Sequence, residues 1–130
     1  MKVDKDYLKK LVLSFYESPK ISLTIDDLKS EGFDFESDQF KHHMLILNDK
    51  NFIASLNGTP GFGLNNRGGW TTTQLRLTSD GQDFAEAIKN ETVWRMINEK
   101  FSSAGIEVLV TAAKEGLKYA VQETVKGFFR

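Results

Sequence analysis

The chain contains no cysteine, which excludes a disulfide-stapled scaffold, a thiol nucleophile and cysteine-bound zinc, and which fits a reducing compartment. It also lacks charge of a prevailing sign. With 27% charged residues and a formal net charge of −1, no global field draws it to nucleic acid or to anionic lipid, so any such binding has to rest on a local patch. No apolar run approaches the ~18 residues of a membrane span, and the opening "MKVDKDYLKK" is too charged for a secretory signal, so a cytoplasmic location is expected. The Asn-x-Thr triplets at Asn57 and Asn90 are, on that reading, chance matches to a glycosylation sequon.

What is present suits one domain: 40% hydrophobic residues, with ten Phe and two Trp, furnish a core for a chain of this length. Over residues 4–16, Tyr7, Leu8, Leu11, Val12, Phe15 and Tyr16 recur at three- and four-residue steps, the pattern of one buried helical face ending before Pro19. A short extended piece follows, then Thr24 as N-cap of a brief helix that Gly32 stops. Ser37 caps a third helix to about residue 50, with Phe40, Met44, Leu45 and Leu47 expected inward.

"NFIASLN" and "TTTQLRLT" have strand length, and the second alternates Thr73, Leu75 and Leu77 with Gln74, Arg76 and Thr78, so the two are expected to pair. Between them "GTPGFGLNNRGGW" holds five glycines and a proline in thirteen residues, the composition of a long, flexible hairpin tip. In "LTSDGQDFAEAIKNETVW", Ser79 and Gln82 fit a capping box, and Gly81 lets the first helical turn lie close to the strand just left. Trp94 stands six residues beyond Ile88, roughly 240° around a helix, so Asn90 is expected to break this stretch into helices 79–89 and 91–101. Finally Ile106, Leu109, Val110, Ala113, Leu117, Ala120, Val121 and Thr124 trace one stripe of a last amphipathic helix.

The expected fold is mainly α with a small antiparallel β-hairpin. The element order is that of a winged helix-turn-helix over residues 1–101, with residues 58–70 as the wing. Residues 102–130 form the C-terminal amphipathic helix, packed on the same domain or on a second copy.

"FKHHMLILNDKNFI" followed by "LTSDGQDFAEAIKNETVW" resembles a bacterial, often prophage-borne family of winged-helix proteins of unknown function. Leu77, Thr78, Gly81, Asp83, Phe84, Ala87, Ile88, Thr92 and Trp94 match its Leu-Thr-x-x-Gly exit and the helix beyond. His43 takes the family's His position, and Asp49, Phe52 and Ile53 follow its Asp-Ala-Gly-Leu-Ile segment. Asn51 replaces the glycine, His42 an aromatic, and Ser79-Asp80 the common Trp-Glu. The resemblance spans residues 1–100 or so and implies a fold and a genomic neighbourhood, and no activity.

Catalytic chemistry finds little footing. His42 and His43 are adjacent, so on a helix they point about 100° apart and cannot form a paired metal site, which needs i and i+4. No Gly-x-Ser-x-Gly elbow occurs, and "GFGLNNRGG" joins strand to strand without the Gly-Lys-Ser/Thr of a phosphate loop. No enzyme, metal or cofactor is therefore expected. The leading expectation is regulatory binding of double-stranded DNA, with Gln39, His42 and His43 facing bases, Lys41 on a phosphate, and Arg67 reaching the minor groove or a phosphate. The alternative is a protein-interaction adaptor of phage or prophage origin, and the last helix makes a homodimer conceivable on either reading.

Overall fold

The computed structural model describes residues 1–129. They form six helices and one two-stranded antiparallel sheet, in the order α1 Lys5–Tyr16, α2 Ile25–Ser30, α3 Asp38–Asp49, β1 Ile53–Ser55, β2 Leu75–Leu77, α4 Ser79–Lys89, α5 Glu91–Lys100 and α6 Ile106–Phe128.

Side-chain caps set the first three helices. Asp4 accepts from the Asp6 and Tyr7 amides at the start of α1, Thr24 and Asp27 form a reciprocal capping box at α2, and Ser37 accepts from the Phe40 amide at α3; each satisfies amides that the helix itself leaves open. Two of these helices end alike. Gly32 after α2 and Asn51 after α3 take positive φ, 100° and 59°, while Phe33 and Phe52 donate back to the Leu28 and Leu47 carbonyls at 3.2 and 2.8 Å. This is the six-to-one closure of a helix in a left-handed residue. Asn51 thus occupies a left-handed position, which glycine and asparagine take most readily.

The core-facing stripe of α3 is Phe40, His43, Met44, Ile46 and Leu47. Leu45, expected inward, is 40% exposed. It lies about 100° around the helix from Met44, beyond the arc that 40, 43, 44 and 47 cover.

The paired segments meet as expected, but over a shorter ladder: Ile53 opposite Leu77, Ala54 opposite Arg76 and Ser55 opposite Leu75. Leu23 adds a bridge to the other edge of Leu75, with amide-to-carbonyl bonds of 2.8 and 2.9 Å in both directions. The chain then departs from the ladder because Ser55 Oγ donates to the Thr59 carbonyl at 2.7 Å, and Thr71 donates its amide to Gly63 rather than to β1.

Residues 58–70 are not a loose tip. Phe62 is buried, Trp70 packs edge-on against both Phe62 and Phe40, and Trp70 Nε1 donates to the Phe35 carbonyl at 2.7 Å. Asn65 Oδ1 accepts from the amides of Arg67 and Gly69, both at 3.0 Å. The aromatics that composition alone assigned to a loop are its anchors.

The cap of α4 is Thr78, one residue before the expected Ser79, and its hydroxyl accepts from the Gly81 amide at 3.1 Å. The capping box with Gln82 does not form. A Cβ on Gly81 would overlap the carbonyl oxygen of Phe52 and would approach its carbonyl carbon to 3.0 Å and Leu77 Cδ2 to 3.2 Å. Gly81 therefore permits a backbone-to-backbone approach, chiefly to the residue leading into β1. Asn90 caps α5 as expected, accepting from the Val93 amide at 3.1 Å. Val93 and Ile97 fill the core there, while Trp94 is half-buried. α4 packs on α1, α5 and α6, and α6 buries Leu109, Val110, Ala112 and Ala113 only.

Candidate functional site

The face built by α2, the turn after it, α3 and the loop 58–70 carries Gln39, Lys41, His42 and Arg67, four of the five residues singled out for DNA, while His43 turns inward. Gln39 is exposed and its amide donates to Asp4 Oδ2 at 3.5 Å. Lys41 is half-buried, and its ammonium stands 3.6 Å from where a Cβ of Gly68 would lie, so α3 and the loop touch here. Arg67 is exposed at the apex, and no ion pair to it exists among the described residues.

The two histidines separate as adjacent helical residues must, with rings 5.3 Å apart and nearly perpendicular. His43, expected at a base edge, is instead 1% exposed. Its Nδ1 lies 2.7 Å from the Gln39 carbonyl, which can only accept, so the proton is on Nδ1; Nε2 then accepts from the Asp4 amide at 3.0 Å. Both ring nitrogens are committed to the fold, and His43 ties the start of α1 to α3. His42 is half-buried, with an Nε2 that is enclosed and has no hydrogen-bond partner. Burial holds its pKa below the ordinary histidine value, helped by His43 and the N-terminal ammonium, so it is a neutral side chain near pH 7.

Charge on this face runs against phosphate. Between residues 26 and 50 stand Asp26, Asp27, Glu31, Asp34, Glu36, Asp38 and Asp49 against Lys29, Lys41 and Lys50. Lys50 is further engaged by Glu107 at 2.6 Å. The lysines of α1 are also occupied. Lys9 sits 4.3 Å from the centroid of the Trp94 ring with Lys5 at 5.6 Å, and Lys10 is 5.2 Å from Phe33; burial lowers the pKa of Lys9.

A second feature lies elsewhere and sequence reasoning missed it. Between α5 and α6 runs an open apolar groove of about 680 Å³, lined by Val93, Met96, Phe101, Val108, Ala112, Gly116 and Tyr119 among others. Gly116 makes it possible, since a Cβ there would meet Met96 Cε at 2.9 Å and Val93 Cγ1 at 3.3 Å. The signal was available as Ala112 and Gly116, two small residues four apart on one helical face. Among the described residues no group of three His, Asp or Glu is placed to hold a metal ion, and no helix is long and apolar enough to cross a membrane.

No curated protein and no solved structure matches the chain. Residues 2–107, which take in every element up to the first turn of α6, match the family described as hypothetical protein (DUF2513). With most of its length matched, the chain belongs to that DUF2513 family.

Proposed function

We propose that this chain is a non-catalytic, cytoplasmic adaptor on a winged helix-turn-helix scaffold, and that its α2–α3–loop face binds a protein surface rather than DNA. Support for the scaffold comes from the order α1, Leu23 bridge, α2, α3, β1, loop, β2, with Leu75 paired to Leu23 on one side and Ser55 on the other; α3 then takes the recognition position and residues 58–70 the wing.

One observation carries the choice of partner: the helix-turn-helix segment holds seven carboxylates against three lysines. A helix that enters the major groove gains its affinity from cations on phosphates, and here the flanking turn would bring Glu31, Asp34, Glu36 and Asp38 toward them. The exposed Leu45 and the neutral His42 suit a protein contact better than a base edge. Such a surface fits a partner with a basic patch.

The test is a gel shift of arbitrary duplex at low salt with micromolar protein, for which no shift is expected. Replacing Glu31 and Glu36 by lysine, two exposed carboxylates, should create binding that weakens steeply with salt, since the sign of the charge on the turn is then reversed. A shift with the unmodified chain that disappears as salt rises would overturn the proposal. DNA binding remains the second reading because Lys41 touches the loop beside Arg67, which is exposed and makes no ion pair among the described residues; its mark would be loss of that shift in Arg67→Ala.

A further inference from the structure

The apolar stripe of α6 does not stop where its domain stops. Leu109, Val110 and Ala113 are buried and Leu117 and Ala120 half-buried, but Val121 and Val125 on the same stripe are 52% and 48% exposed, and Phe128 is 81% exposed. Among the described residues nothing covers the helix from residue 121 onward, where every side chain is exposed. Earlier along the same helix, on another side, opens the groove between α5 and α6, walled by Val93, Met96 and Val108 and floored at Gly116. A projecting apolar arm and an apolar recess of the same chain therefore share one helix.

We propose that a second copy of this chain covers both, with each copy laying residues 121–129 along the α5–α6 groove of the other. The proposal uses no residue of the α2–α3 face and stands whether that face binds protein or DNA.

Three points favour this occupant. The first is area. Tyr119, Phe128 and Phe129 are 63%, 81% and 79% exposed, so at ~150–250 Å² per aromatic side chain they alone leave about 450 Å² of apolar surface in water. Val108, Val121 and Val125, each near half exposure, and the groove walls bring the total toward the ~800 Å² that each partner contributes to a standard interface. The second is self-complementarity. Reciprocal exchange around a twofold needs a projection and a recess in the same chain, and α6 supplies both on different sides: Val108, Ala112 and Tyr119 face the recess, and Val121, Val125 and Phe128 form the projection. The third is charge. Lys114, Lys118 and Lys126 balance Glu107, Glu115 and Glu123 within α6, so two copies do not repel. An anionic membrane would find no excess of cations on the helix, which disfavours a lipid surface as the cover.

Sedimentation equilibrium of the full chain from low to high micromolar concentration tests the proposal, with Val125→Glu and Phe128→Ser on the arm and Val108→Lys on the groove rim. All three positions are exposed, so far-UV circular dichroism should be unchanged. A dimer is expected for the unmodified chain. Each arm substitution should weaken it by roughly 30-fold or more, as loss of an interface hot spot does, and Val108→Lys should weaken it independently of the arm. A monomer at every concentration overturns the proposal, as does a dimer indifferent to all three substitutions. So does a monomer that floats with phosphatidylcholine vesicles and loses that binding in Phe128→Ser, because the cover is then lipid.

Discussion

Gly81→Ala sets two tendencies against each other at one atom. Alanine is the better helix former, worth up to ~1 kcal/mol in a helix interior and less in the first turn, where Gly81 stands. The opposing effect is steric. The new methyl would overlap the Phe52 carbonyl oxygen and lie 3.0 Å from its carbon, and a backbone carbonyl cannot rotate away as a side chain would. Relief requires α4 to back away from the β1 entrance by about 1 Å, which disturbs the stacked Phe52–Phe84 pair, 4.9 Å between centroids, and the 2.9 Å bond from the Thr78 amide to that same carbonyl. Overpacking of this kind costs ~1–3 kcal/mol and a strained amide bond about 1 more. Subtracting the propensity gain leaves a net loss of about 2 kcal/mol. For a chain of this size that lowers Tm by roughly 8 °C. Gly127→Ala is the internal control. It lies in the last turn of α6 with nothing within 4 Å of its missing Cβ, so the same exchange there meets no clash and should leave stability unchanged or slightly raised. Thermal and urea unfolding of both variants measure the contrast, and a Gly81→Ala protein as stable as the unmodified one would refute the steric account.

His43→Ala removes a buried ring and leaves the Asp4 amide without its acceptor, so urea unfolding should show a loss of ~2–4 kcal/mol. His42 gives a pH dependence whose sign follows from its lowered pKa. As pH drops through about 6.5 the unfolded chain takes up a proton that the folded chain resists, so stability falls from pH 7 toward pH 5. Unfolding of His42→Gln across that range should show a shallower decline. Asn51→Ala, which forces a Cβ without the amide's local hydrogen bonding into the left-handed region, should cost ~1 kcal/mol, whereas Asn51→Gly should be neutral or stabilising in the same assay. Trp70→Ala detaches the loop from Phe35 and Phe40, and limited trypsin digestion should then cut at Arg67 faster than in the unmodified chain.

Local signals were the legible ones. Thr24, Ser37 and Asn90 announced helix starts because a cap is a contact between residues two or three apart, and Leu75 and Leu77 announced a strand because alternation is a backbone property. Thr78 was misread as strand end rather than cap. Its neighbour Ser79 is an equally good capping residue, and only the position of the Phe52 carbonyl decides between them. Leu45 was misjudged because the inward arc of α3 depends on where α1 lies, as does the burial of His43, whose partner is thirty-nine residues away. The loop 58–70 read as glycine-rich and loose, since nothing in its composition tells that Trp70 finds the Phe35 carbonyl. At the candidate site, the identities and charges of α3 were readable from the start. That Lys41 meets the loop, that the α1 lysines lie over Trp94 and Phe33, and that α5 and α6 enclose a groove are tertiary facts.

The bond from Trp70 to Phe35 also bears on how any partner would be met. It joins the loop 58–70 to the turn preceding α3, and Asn65 fixes the loop's own apex, so the face proposed for a partner already has its final shape before encounter. Association would then forgo little chain freedom at that surface. Complex formation should be limited by diffusion and orientation rather than by folding of the loop.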